Sequence, residues 1–189
     1  MISKASSLII CTCNAVKKCY ENDLPNTKMF VVYNGVTSKK NLFVKHISNK
    51  LQMIQTARLM SDKNVIESVK AVEIVLATGR TEIHLDIYGV GEQESMLKKY
   101  VHDHQLDAYI TFKGFYEQID YSNYNAGLMT SLYEAFARSV LEYMNNGLVV
   151  LASNSGGNLE QIKNEETGLL YRVCLLYTSP SPRDRTRSR

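Results

Sequence analysis

The sequence predicts an α/β fold: a doubly wound, Rossmann-like parallel sheet. Three observations carry that expectation. From Leu51 to Tyr171 short apolar runs alternate with stretches of helical periodicity, the pattern of repeated strand–helix units that wind a parallel sheet. The run from Leu148 to Ser153 is almost continuously apolar, as a strand covered on both faces requires. Glycines stand where such units turn. Gly89 and Gly91 follow one apolar run, Gly147 closes a helical stretch as a left-handed cap prefers, and Gly156 and Gly157 precede the next helix.

Taken in order, Ser7 to Thr12 reads as a short buried strand, and Ala15 to Asn22 as a helix that Pro25 ends. Phe30 to Tyr33 is a second strand, closed by the turn pair Asn34-Gly35. Lys39 to Lys50 is polar and without period, hence a loop. Leu51 to Ala57 is a strand, and Arg58 to Lys63 leads into a helix with an apolar stripe at Val65, Val69, Val72 and Leu76. Ile83 to Tyr88 is the next strand, and Gly89-Val-Gly91 turns into a helix bearing Met96, Leu97, Tyr100 and Val101. His102 and His104 lie two apart on that helix, on different faces, and form no metal site. Tyr109 to Lys113 is a strand ending at Gly114, Phe115 to Tyr124 a loop with a short helix, and Gly127 to Thr130 a strand.

The stretch that follows holds two carboxylates, Glu134 and Glu142, eight positions apart. Glu134 lies where the strand should end and Glu142 lies within the following helix. On a helix starting at Glu134 they would stand about 12 Å apart along the axis and be rotated about 80° from each other. That is no acid/base pair. It suits contact with two parts of one extended ligand at the carboxyl edge of the sheet, where open α/β sheets bind ligands. Arg58 and Lys63 bracket a loop at a helix N-terminus. Two cations and exposed backbone N–H groups there favour a diphosphate, although a pair of basic loop residues taken alone is usually just solvated. Gly89-Val-Gly91 is not a dinucleotide fingerprint, which needs a third glycine, and this disfavours an oxidoreductase-type domain.

With these residues in register, the sequence resembles the donor-binding C-terminal domain of retaining GT-B glycosyltransferases. The group resembled is the large one that builds bacterial lipopolysaccharide, capsule and teichoic-acid sugars. The resemblance rests on Glu134 and Glu142 as a Glu-x7-Glu motif, on Gly156, Gly157 and Glu160 as Gly-Gly-x-x-Glu, and on Arg58 and Lys63 as Arg-x4-Lys. It implies that Glu134 meets the donor sugar, Glu142 the ribose, and Arg58 and Lys63 the diphosphate. It adds Gly89, Gly91, Phe136 and Ala137 as donor contacts, and Phe115 or Tyr116 as a stacking partner for the base. The family usually has glycine where this chain has Ala137. The implied function is transfer of a hexose from a nucleotide diphosphate sugar, with retention and with no cofactor or essential metal. The acceptor, a glycan or lipid-linked cell-envelope group, would be bound by an N-terminal domain. The alternative is a nucleotide-sugar-binding domain without catalysis.

The same resemblance divides the chain. The Asn-Gly-Val turn at Asn34 marks the passage between two domains, so residues 1–34 would be the remnant of the acceptor-side domain and 35–173 the donor domain, truncated at both ends. Residues 174–189 match the translation of a DNA sequencing adapter and are expected to be a non-native disordered tail. The formal charge of +3 over 189 residues sits wholly in that tail, where Arg183, Arg185, Arg187 and Arg189 oppose Asp184. The remainder is neutral, which points away from nucleic acid and from charge-steered membrane binding. No run is apolar enough to span a bilayer, and Met1-Ile-Ser-Lys starts no signal peptide. Cys11, Cys13, Cys19 and Cys174 lack zinc-site spacing. They suit a reduced, cytoplasmic chain that meets the membrane, at its inner face, only through parts not present here.

Overall fold

A computed structural model of the chain describes residues 8–38 and 49–173. Most of the expected loop at 39–50 and all of the expected tail at 174–189 lie outside the described residues. The described residues form two parallel sheets. The smaller joins β1 (Leu8–Cys11) to β2 (Lys28–Val31) across α1 (Asn14–Glu21), with Leu8 opposite Lys28. The larger has six strands: β3 (Leu51–Thr56), β4 (Ile83–Tyr88), β5 (Ile110–Gly114), β6 (Ala126–Met129), β7 (Val149–Ser153) and β8 (Leu169–Tyr171). Its helices are α2 (Val65–Ala77), α3 (Glu94–Asp103), α4 (Arg138–Asn145) and α5 (Asn158–Gln161).

The strand order is β5-β4-β3-β6-β7-β8, and every pairing is parallel. The chain winds outward from β3 in one direction and outward from β6 in the other. Right-handed crossovers therefore place α2 and α3 on one face and α4 and α5 on the opposite face. The period of two along β3 shows the result. Met53 belongs to the core under α2 and α3 with Val65, Val69, Val72, Leu85 and Leu97. Ile54, its neighbour, belongs to the core under α4 with Val140, Tyr143, Val150 and Ala152. β3 and β6 are adjacent, with Met53 opposite Ala126 and Ile54 opposite Gly127. The winding direction reverses between them, and this junction is the topological switch point.

Tyr143 shows how α4 is fixed over that junction. Its side chain is fully buried, and its hydroxyl accepts from the Thr56 N–H at 2.7 Å, at the end of β3. A Cβ on Gly127 would lie 2.2 Å from the Tyr143 ring, so only glycine admits the ring there.

Some expected elements differ. Residues 115–124 hold no helix. Tyr121 and Tyr124 are buried, and their hydroxyls donate to Glu142 at 3.2 Å and to Asp86 at 2.7 Å, which ties the segment to α4 and β4. α4 starts at Arg138, so Glu134 sits in a loop and the spacing along one helix does not apply. Met96 faces solvent, and α3 buries Leu97 and Val101. β7 exposes Val149 at its first residue and buries Val150, Ala152 and Ser153.

Candidate functional site

Lys63 and Glu134 meet at the switch point. Lys63 closes the short turn after β3 and Glu134 lies in the loop after β6. Nζ stands 2.7 Å from a Glu134 carboxylate oxygen, with the two side chains only 16% and 17% exposed. Ser131 Oγ donates to the same oxygen at 3.2 Å. The two loops are stitched together, because the Leu132 N–H donates to the Asp62 carbonyl and Thr130 Oγ1 donates to that of Lys63. Beneath them runs a buried polar chain in which Ser68 donates to Gln55, and Gln55 donates to Thr130 at 2.7 Å. Sequence reasoning missed this chain. A glutamine at a core position of β3 was its only signal.

The loop from Glu134 to Ala137 is pinned by its backbone. The Gly157 N–H donates to the Glu134 carbonyl at 2.7 Å. A Cβ on Gly156 would lie 2.0 Å from that oxygen, and one on Gly157 would lie 1.8 Å from the Ala135 oxygen. The glycine pair is thus required by the close passage of the loop. Gln161 grips Ala137 with both ends of its amide, accepting from its N–H at 2.9 Å and donating to its carbonyl at 2.8 Å. Ala137 has φ −70°, which any residue adopts, so alanine is accommodated where glycine was expected. Among the described residues no side chain other than Gln161 is seen to cap α4, and no acidic residue lies in its first turn. Phe136 packs its ring on Tyr33, with centroids 5.0 Å apart.

Glu142, on α4, receives Arg138 Nε at 3.1 Å and the Tyr121 hydroxyl at 3.2 Å. Burial first, and the Glu142 charge next, raise the Tyr121 phenol well above its ordinary range. Arg58, Gly89, Phe115 and Tyr116 line a cavity of about 200 Å³ with Thr56, Tyr88 and Ile119. Phe115 and Tyr116 are 71% and 57% exposed beside it, and the Tyr116 ring meets that of Tyr88 edge-to-face with centroids 5.5 Å apart. Gly89 and Gly91 let the turn after β4 pass the chain's own backbone. Added Cβ atoms would lie 1.8 Å from the Ala57 oxygen and 2.4 Å from the Leu59 oxygen. Behind the cavity, the Tyr88 hydroxyl meets that of Tyr124 at 2.9 Å, and Tyr124 reaches the buried Asp86. Among the described residues no cluster of His, Cys, Asp and Glu has the makings of a metal site.

A parallel sheet in Rossmann order, with a basic and an acidic side chain meeting at its switch point, is the frame on which open α/β domains bind ligands at the carboxyl ends of their strands. The chain belongs to the family of glycosyl transferases group 1, whose model matches residues 37–174. It is 34% identical over 121 residues to the GtfA subunit of the UDP-N-acetylglucosamine–peptide N-acetylglucosaminyltransferase of Streptococcus pneumoniae, covering 62% of this chain and 24% of that protein. It is 35% identical over 106 residues to the poly(glycerol-phosphate) alpha-glucosyltransferase of Bacillus subtilis, covering 55% of this chain and 16% of that one. The crystal structure of the pneumococcal O-GlcNAc transferase GtfA in complex with UDP and GlcNAc superposes with a TM-score of 0.71 at 25% identity, covering 95% of this chain and 36% of that one. The chain thus spans a quarter or less of the length of these curated relatives. Among the described residues no helix is long and apolar enough to cross a membrane.

Proposed function

We propose that this chain binds a nucleotide diphosphate sugar and forms the donor half of a retaining, metal-independent hexosyltransferase. The Lys63–Glu134 pair at the switch point carries the proposal. As the bond from the sugar to the diphosphate breaks, negative charge collects on the departing phosphate. Lys63, Arg58 and the N-terminus of α4 would receive it, a preorganised electrostatic stabilisation. Glu134 would then turn from Lys63 to the sugar hydroxyls and orient the ring. Glu142 would accept from the ribose, held ready by Tyr121 and Arg138. The cavity beside Arg58, with the exposed Phe115 and Tyr116, suits a base.

The curated relatives named above act on peptide or poly(glycerol phosphate). By analogy the acceptor here is a glycan or another cell-envelope group, used on the cytoplasmic side. The acceptor would be held mainly by a domain of which residues 1–34 are a remnant, with 35–173 as donor domain and 174–189 as non-native tail. Calorimetric titration of the chain with UDP, GDP, their hexose conjugates and NAD, with and without EDTA, tests the proposal. It predicts binding of one uridine or guanosine diphosphate sugar, unchanged by EDTA. Binding of NAD alone, or of none of these ligands, would overturn it.

A further inference from the structure

Glu160 lies on α5, three residues beyond the glycine that holds the Glu134 carbonyl, and its carboxylate faces another part of the chain. It accepts from the N–H groups of Asn14 at 3.0 Å and Ala15 at 2.8 Å, from Asn14 Nδ2 at 2.8 Å, and from the Tyr33 hydroxyl at 3.0 Å. Two of those donors are backbone groups in the first turn of α1, which no intrahelical carbonyl satisfies. α1 has no acidic residue in that turn, and its own cap is the Cys13 thiol at 3.4 Å from the Val16 N–H. Glu160 is therefore a carboxylate N-cap supplied from 146 residues away.

The carbonyls of the candidate site loop show why this matters. Four in succession are held, by two different bodies. Glu134 O is taken by the Gly157 N–H, and Ala137 O by Gln161, both from the α5 side. Ala135 O is taken by the Cys13 thiol at 2.7 Å, and Phe136 O by Asn34 Nδ2 at 3.4 Å, both from the β1–α1–β2 unit. Tyr33 of that unit also packs on Phe136. The loop is gripped from both sides, and Glu160 is the side chain that ties the two sides together.

We propose that Glu160 is a positioning residue of the donor site. By capping α1 from α5 it keeps Cys13, Tyr33 and Asn34 on the loop, and so fixes where Glu134 presents its carboxylate. This rests on the assignment of Glu134 to the donor sugar. It gives the β1–α1–β2 unit a route to the sugar contact, since any shift of α1 is passed through Cys13 and Ala135 to the neighbouring Glu134. Desolvation works against the charge on Glu160, yet the bonds from Asn14, Ala15 and Tyr33 hold its carboxyl below the ordinary range, so the clamp is closed at neutral pH.

The test uses the whole 189-residue chain with Glu160→Ala, Glu160→Gln and the double variant Ala15→Asp/Glu160→Ala, which gives α1 an acidic first turn of its own but no tether. Alkylation of Cys13, mapped by peptide mass, is the readout that needs no ligand. Cys13 is fully buried and Cys19 is exposed, so Cys19 serves as the internal standard. Calorimetry with UDP and a UDP-hexose, or with GDP and a GDP-hexose where the wild-type chain binds those instead, is the second readout. Glu160→Ala is expected to raise Cys13 labelling and to weaken the UDP-hexose about tenfold, with UDP changed less than about twofold, the scale of one well-made hydrogen bond. Glu160→Gln, which keeps one acceptor oxygen, should fall between, and it supplies the result if the alanine variant does not fold. Ala15→Asp should restore the unfolding midpoint but neither Cys13 protection nor sugar affinity. Equal weakening of both ligands, unchanged Cys13 labelling, or full rescue by Ala15→Asp would each overturn the proposal. A wild-type chain that binds neither UDP nor GDP nor their hexose conjugates fails the donor assignment instead, and Cys13 labelling then still decides whether Glu160 holds the loop.

Discussion

The Lys63–Glu134 pair sits 2.7 Å apart with both side chains largely shielded from water, so removing either leaves the other with a weaker partner, Asp62 at 3.8 Å for Lys63 and Ser131 for Glu134. Lys63→Met and Glu134→Gln should each cost roughly 1–3 kcal/mol, and the double variant clearly less than their sum. Urea unfolding of the three variants checks this, and strict additivity would show that the contact carries no energy. Gly157→Ala is harsher, because the new methyl would stand 1.8 Å from the Ala135 carbonyl, which is backbone and cannot swing aside. A loss of roughly 2 kcal/mol or more is expected. Lys63 and Glu134 stood out in the sequence only through the register of Arg-x4-Lys with Glu-x7-Glu in the resembled family, and their pairing with each other was not read. The start of α4 was not legible. Glu134-Ala-Phe-Ala137 is made of ordinary helix formers, but the Gly157 N–H takes the Glu134 carbonyl that a helix would need. The grips on Ala135 and Ala137 were illegible for the same reason, since Cys13 and Gln161 reach them only once the fold is assembled.

At the scale of elements, α4 and the end of β3 depend on one hydroxyl. Tyr143 is fully buried, and burial pushes its phenol up to about 12 even though Thr56 donates to it. Tyr143→Phe leaves the Thr56 N–H without that acceptor in the core, at a cost of roughly 1–3 kcal/mol. Urea unfolding at pH 7 should show a lower midpoint at unchanged slope; a midpoint equal to wild type would mean that the ring alone holds α4. The strands were read well because parallel strands are apolar and separated by glycine turns. The 115–124 segment was misread because its tyrosines look helix-compatible one by one. Its course is set by distant acceptors, Glu142 and Asp86, that no local pattern reveals.

At the scale of the whole molecule, the alternation of strands and helices was enough to give a parallel, doubly wound sheet, whereas its strand order and the docking of the β1–α1–β2 unit were not read from it. The expected boundary at Asn34 can be tried directly. Residues 1–34 alone bury too little surface for independent stability and should show no cooperative unfolding transition by circular dichroism. A sharp transition would place the boundary elsewhere. The tyrosines make a second prediction. Tyr121, Tyr124 and Tyr171 are raised chiefly by burial, and Tyr143 with them to about 12. A phenol raised in the folded state contributes stability that is whole below the ordinary value of 10.0 and is lost as pH rises through the folded value. The thermal midpoint should thus fall between about pH 10 and 12. A flat profile there would contradict the burial of these groups.

The central claim is that two glutamates serve two parts of one donor. It is tested most directly by calorimetric titration of Glu134→Ala and Glu142→Ala with the free nucleoside diphosphate and with its hexose conjugate. Glu142→Ala should weaken both ligands by roughly 1.5–3 kcal/mol, the worth of a charge-assisted hydrogen bond to the ribose. Glu134→Ala should leave the free diphosphate nearly unchanged and weaken only the conjugate, because its contact exists only when the sugar is present. Equal losses of diphosphate affinity in both variants, or no loss in either, would contradict the account.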